Sequence, residues 1–136
     1  MSRGQDPARL RRRHRDAAAQ TTVAELAVAL AEGDLSGIRA VLRADSVLIV
    51  DSGGRMPESS ALVEGRIAAS AALAALMTTG TAVVMASINS APGFVIVRDD
   101  RVVAAVSTEA RSGLLATVWV VCNPDKLRHW NLSVDG

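Results

Sequence analysis

The chain has 136 residues, 49% of them hydrophobic, and its 15 basic and 14 acidic residues leave a formal net charge of +1. That is the size of one domain with enough apolar material for its own core, which excludes intrinsic disorder. A lone cysteine, Cys122, excludes an internal disulfide, and one Phe, two Trp and no Tyr exclude an aromatic platform for stacking bases or flat ligands.

In chain order, the first feature is an uneven charge. Residues 1–16 hold Arg3, Arg9, Arg11, Arg12, Arg13 and Arg15 against Asp6 and Asp16, whereas the rest of the chain holds nine basic and twelve acidic residues. The spacing predicts a basic arm over residues 1–20 and a mildly acidic domain over residues 21–136. A short basic terminus is ordinarily a solvated tail, and contact with nucleic acid is expected only there. No apolar stretch follows it to form a secretory leader, so a cytoplasmic location is expected. Residues 67–97 carry no charge, but they are rich in Ala, Ser, Thr and Gly and contain Asn89 and Pro92. Such a stretch gains little on entering lipid, and no membrane span is expected.

Thr22 followed by Glu25 has capping-box spacing, and Val23, Leu26, Ala27 and Leu30 repeat on one helical face up to Gly33, a natural stop. Asp34 is placed to cap a second short helix with Leu35, Ile38 and Leu42 as its apolar stripe. "SVLIVD", Ser46–Asp51, reads as a strand, and "SGGRMPES" as a loop. A third helix is expected from about Ala61 to Met77, with Val63, Ile67, Ala71, Ala74 and Met77 on one side. The period then changes. "AVVMASIN", "GFVIVRD", "RVVAAVSTEA" and "GLLATVWVVC" read as four strands, joined in part by tight turns at Asp99-Asp100 and Ser112-Gly113. Links this short make antiparallel hairpins. Helices in the first half and strands in the second define an α+β domain, with about three helices covering a curved, mainly antiparallel sheet of about five strands.

Lone reactive residues point to little chemistry. Cys122 at a strand end, with no histidine beside it, reads as a small core residue. His14 and His129 are distant in sequence and flanked by arginines, so no metal site is expected. "SGGRMPESS" lacks the Gly-Lys-Ser/Thr ending of a phosphate loop, and no cofactor is implied.

Three stretches carry a resemblance. "LAEGDLSGIRAVLRADSVLIVDSGGR", "INSAPGFVIVRDDRVVAAVS" and "NPDKLRHW" are similar to the SnoaL-like C-terminal domain of sigma-J-type extracytoplasmic-function sigma factors. The order of elements is likewise similar to the cone-shaped fold of nuclear transport factor 2, ketosteroid isomerase and the SnoaL-like polyketide cyclases. The resemblance covers residues 22–130. Its terminal Asn-Pro-Asp-Lys-Leu motif is intact, whereas the family's Asp-Gly-Gly-Gly-Lys motif stands here as "DSGGR", with Ser52 for a glycine and Arg55 for the lysine. Arginine keeps the charge but presents a planar fork. The chain contains no sigma region 2 or 4, and "RLRRRHR" stands where the end of region 4 or its linker would lie.

The resemblance implies a regulatory, non-enzymatic domain whose two motifs meet a protein partner. The expected interface is Asp51, Gly53, Gly54 and Arg55 with Asn123, Pro124, Asp125, Lys126 and Leu127, and the expected partner is a set of sigma factor regions. A homodimer through the open face of the sheet is also implied. The alternative implied by the same superfamily is a cyclase-like or isomerase-like enzyme, or a carrier of a small apolar ligand, with its pocket inside the cone. The pocket candidates are then Asp51, Asn89, Glu109 and Trp119. Strand alternation puts Asn89 on a face with Val83, Met85 and Ser87, Glu109 with Val103, Ala105 and Ser107, and Trp119 with Leu115, Thr117 and Val121.

Overall fold

A computed structural model describes residues 7–52, 60–88, 91–124 and 126–128. The elements are α1 (Pro7–Glu32), α2 (Leu35–Val41), β1 (Leu42–Asp51), β2 (Ser60–Glu64), α3 (Arg66–Ala74), β3 (Thr81–Ile88), β4 (Ala91–Arg98), β5 (Arg101–Arg111) and β6 (Leu114–Val121). They form an α+β domain with one six-stranded sheet in the order β2-β1-β6-β5-β4-β3. β1 runs parallel to β6, and every other neighbouring pair is antiparallel.

The first helix is longer than its capping signal implied. Pro7 occupies the first helical position, where its missing N–H costs nothing, and good helix formers follow without a breaker until Gly33. The helix therefore passes without interruption through residue 20, where the arm was expected to end. Thr22 lies inside it and is no cap; its hydroxyl donates to the Gly113 carbonyl at 3.2 Å and ties α1 to the β5–β6 turn. The stop is as expected. Gly33 takes φ 68°, and the Gly33 and Asp34 N–H groups donate to the carbonyls of Leu30 and Ala29, closing the helix end. Asp34 then caps α2, its carboxylate accepting from the Gly37 N–H at 3.0 Å. Leu35 is exposed, however, and the buried face of α2 is Ile38 and Val41.

The helix expected from Ala61 divides in two. Ser60–Glu64 pairs with β1 as a strand, Val63 opposite Leu48, and only Arg66–Ala74 is helical. Gly65 makes the break at φ 93°, ψ 149°, a conformation open in practice only to glycine. Ile67 is consequently 61% exposed, and Ala69, Ser70 and Leu73 face the core. This strand raises the count to six.

One face of the sheet is covered by the helices. Val23, Leu26 and Leu30 of α1, Ile38 of α2 and Leu73 of α3 pack there against Leu48, Phe94, Ile96, Val106, Val118 and Val120. Phe94 is fully buried and is the largest of these side chains. On the opposite face α1, α2 and α3 do not pack; a smaller cluster of Val95, Val102, Ala105 and Leu127 lies there.

The two tight turns form where expected. Asp99 and Asp100 both have positive φ, as do Ser112 and Gly113, the backbone signature of the hairpin turn whose twist matches its strands. Two expectations follow for stability. Gly65→Ala forces a side chain into the break and costs about 1–3 kcal/mol. Phe94→Ala empties the centre of the core and costs about 3–5 kcal/mol. Both are read from urea unfolding midpoints.

Candidate functional site

The end of β1 and the chain after β6 meet. Asp51 is in register with Ser60 on one side and Val121 on the other, and its carbonyl accepts the Cys122 N–H at 2.7 Å. Pro124, which has no N–H to extend a ladder, opens a helical turn, and the Leu127 N–H donates to the Asn123 carbonyl at 3.0 Å. That turn carries Lys126 back over the strand end, where its Nζ donates to Asp51 Oδ2 at 2.5 Å. The ion pair joins residues 75 positions apart. With the lysine side chain 62% exposed, water screens the attraction, so the pair locates the turn more than it stabilises the fold.

Stability of the turn comes from Leu127. It is 3% exposed and packs against Val95, Val102 and Ala105 on the face away from the helices. Pro124, Lys126 and Arg128 remain exposed around it. The described part of "NPDKL" therefore combines a strand stop, a hydrophobic anchor at Leu127 and outward-facing side chains at Pro124 and Lys126. Gly53, Gly54, Arg55 and Asp125, four of the expected interface residues, lie outside the described residues, as does the pocket candidate Asn89.

The other pocket candidates do not meet inside the cone. Leu48 and Val50 of β1 and Val118 and Val120 of β6 face the helices, so Asp51, Trp119 and Val121 point to the opposite face. Glu109 pairs with Thr117 on that same outer face and is exposed. Leu115 does not share the face of Trp119. A register shift leaves Ala116 as an extra residue and turns Leu115 into the main core. The same device at Val103 brings Val102 out beneath Leu127. Among the described residues the buried polar side chains are Thr22, Ser46 and Ser70, none of them a carboxylate.

The outer face has a row, apolar from Leu62 to Trp119 and ending at Ser107, of which only Trp119 was singled out from the sequence. Leu62, Ile49, Trp119 and Ser107 follow one another across four strands. Leu62 is 61% and Trp119 37% exposed. Leu62 was missed because β2 was read as helix. A second missed feature is an open groove beside the "NPDKL" turn, bordered by Arg98 and Arg101 of the β4–β5 hairpin. Its sequence signal is the Arg-Asp-Asp-Arg spacing, which places two arginines at the feet of a tight turn.

Cys122 is half-buried; it packs against the main core and also lines the groove. Burial, and secondarily the Asp51 carboxylate, push its thiol above the ordinary value, so the nucleophilic thiolate is disfavoured.

No family model matches the sequence, and no curated protein matches it significantly. Solved structures do. The chain is similar to the extracytoplasmic function sigma factor SigJ of Mycobacterium tuberculosis, with 22% identity and a TM-score of 0.62 over 88% of this chain and 47% of that one. It is similar to an NTF-2 like protein of unknown function from Burkholderia xenovorans LB400, with 16% identity and a TM-score of 0.59 over 80% and 85% of the two chains. An LEH-like epoxide hydrolase of M. tuberculosis gives 14% identity and a TM-score of 0.55 over 87% and 92%. The fold is the NTF2-like, SnoaL-like cone fold, and the chain spans just under half the length of SigJ. No helix among the described residues is long and apolar enough to cross a membrane.

The Cys122 environment gives a prediction with a defined sign. A raised thiol pKa means that the folded chain holds this proton more tightly than the unfolded chain. Its contribution to stability is complete below the unfolded thiol's pKa and is lost as pH rises through the folded value. Alkylation by iodoacetamide at pH 7 is expected to be slower than that of an unstructured cysteine peptide. Asp51→Asn should speed it while leaving burial to hold the rate below the peptide's.

Proposed function

We propose that this chain is a non-enzymatic regulatory domain that binds a protein partner, and that the partner is a sigma factor, engaged through its regions 2 and 4. The observation that carries this reading is the Asp51–Lys126 ion pair, which joins one residue of each motif of the sigma-J-type resemblance. In that region, Pro124, Lys126 and Arg128 offer polar contacts, and the row from Leu62 to Trp119 offers apolar area to cover. An apolar centre with a charged rim is the usual composition of a protein interface. The fold likeness to SigJ agrees with this reading. The domain would act in the cytoplasm, alongside its partner, without metal or cofactor.

The competing reading, an enzyme or small-ligand carrier with its site in the cone, draws support from the epoxide hydrolase among the structural neighbours. It needs a carboxylate or a comparable polar group in the interior. Asp51 and Glu109, the two carboxylates expected to serve, both lie on the outer face. We therefore place it second.

The test is co-elution of the chain with purified sigma regions 2 and 4 on a size-exclusion column at micromolar concentrations. A complex is expected, and Lys126→Glu, which sets two carboxylates together, should weaken it by about tenfold or more. Separate elution of all components at those concentrations would sink the sigma-factor reading. If the chain then runs as a dimer that Trp119→Arg dissociates, a second copy of the chain is the partner of the sheet face.

A further inference from the structure

We propose that the groove between the β4–β5 turn and the 124–128 turn binds a small amphipathic anion, a carboxylate or phosphate carried on a short apolar body. The groove has a volume of about 630 Å³, within the roughly 300–1,000 Å³ range of small-molecule sites. Arg98 and Arg101 line it from the hairpin side, and Arg128 lines it from the other. One carboxylate, that of Asp99, is among the lining residues, and Asp100 stands next to it in the turn.

Arg98 and Arg101 are directly opposite each other in the β4–β5 ladder. Like charges placed this way repel, and side chains so paired start only about 5 Å apart. Neither guanidinium forms an ion pair or a side-chain hydrogen bond with a described residue. The pair is held in place by the turn, whose two central aspartates both take positive φ. A bound anion removes the repulsion and gains two planar forks, whose geometry matches a carboxylate or phosphate edge.

The floor explains the apolar body. Val102 and Leu127, both buried, form its base, and Val103, 39% exposed, completes the apolar lining with Cys122 and Pro124. A purely inorganic anion would leave Val103 and Pro124 wet, whereas an alkyl or aryl carboxylate covers them. A floor this small suits a small molecule and leaves no track for an extended peptide. The site lies outside the cone, on the opposite side of the sheet from the helices. It does not depend on the sigma-factor reading.

The experiment is an NMR titration of the full chain with sodium octanoate, inorganic phosphate and neutral octanol at constant ionic strength. Octanoate should give saturable shifts at the amides of Val102, Leu127 and Arg128. Phosphate should give the same pattern at higher concentration, and octanol should leave those amides unmoved. The double variant Arg98→Gln, Arg101→Gln should weaken octanoate binding at least tenfold, with a thermal melt that overlays the parent's. Arg98→Lys, Arg101→Lys should recover part of the loss. Equal responses to octanol and octanoate would overturn the proposal. So would unchanged affinity in the glutamine variant, or shifts confined to the core between helices and sheet. Binding of an acidic peptide to this groove, with octanoate and phosphate both inert, would also overturn it in favour of a protein ligand.

Discussion

The parallel pairing of β1 with β6 is the joint on which the rest of the molecule depends. It is the one parallel contact among the described strands, and it brings residues 42–51 against residues 115–121. It joins the β1–β2 pair to the antiparallel meander, while α1 packs directly on the meander strands and is tied to the β5–β6 turn by Thr22. Because the strands run the same way, their carboxyl ends coincide. Asp51 therefore meets Cys122, and the turn after Pro124 comes within reach of Asp51. An antiparallel arrangement would send these two motifs to opposite ends of the sheet.

The sheet then divides the molecule into two environments. On the helix side, Leu26, Leu30, Leu73 and Phe94 fill the space above the strands, and the buried polar groups are hydroxyls. On the other side, apolar and charged residues share a partly exposed surface, with Leu127 as a plug at one end. Two of the three register irregularities among the described strands, at Val103 and at Ala116, contribute to this division. Each inserts one extra residue and exchanges the faces of what lies beyond it. Leu115 thereby enters the core, and Val102 becomes the floor of the arginine-lined groove.

Much of the fold was legible because local rules and tertiary packing agree. The Gly33 stop, the Asp34 cap and the strands from Thr81 to Val121 follow from backbone preferences that packing reinforces. The hairpin turns follow in the same way from their lengths. The reading failed where two local descriptions competed. Ser-Ala-Leu-Val-Glu suits a helix as well as a strand, and the free edge of β1 decided for the strand. Thr22 has the spacing of a cap, yet the helix formers before it extend α1 well beyond that point. At the site, "DSGGR" and "NPDKL" were recognisable as motifs, but the contact between Asp51 and Lys126 was not, because it spans most of the domain. The interior placement expected for Asp51, Glu109 and Trp119 failed for a simpler reason. Alternation says which residues share a face and is silent on which face the helices will cover.

By itself, the sequence determined the class of fold, the order of its elements apart from β2, and the two motifs that mark its candidate surface. These depend on periodicity, turn chemistry and composition, all of which act over a few residues. Only the tertiary structure decided which face is core, that Asp51 and Lys126 meet, and that a pair of like charges borders an apolar floor. Those outcomes depend on strand direction, on single-residue bulges and on contacts between distant segments, and no local pattern encodes them.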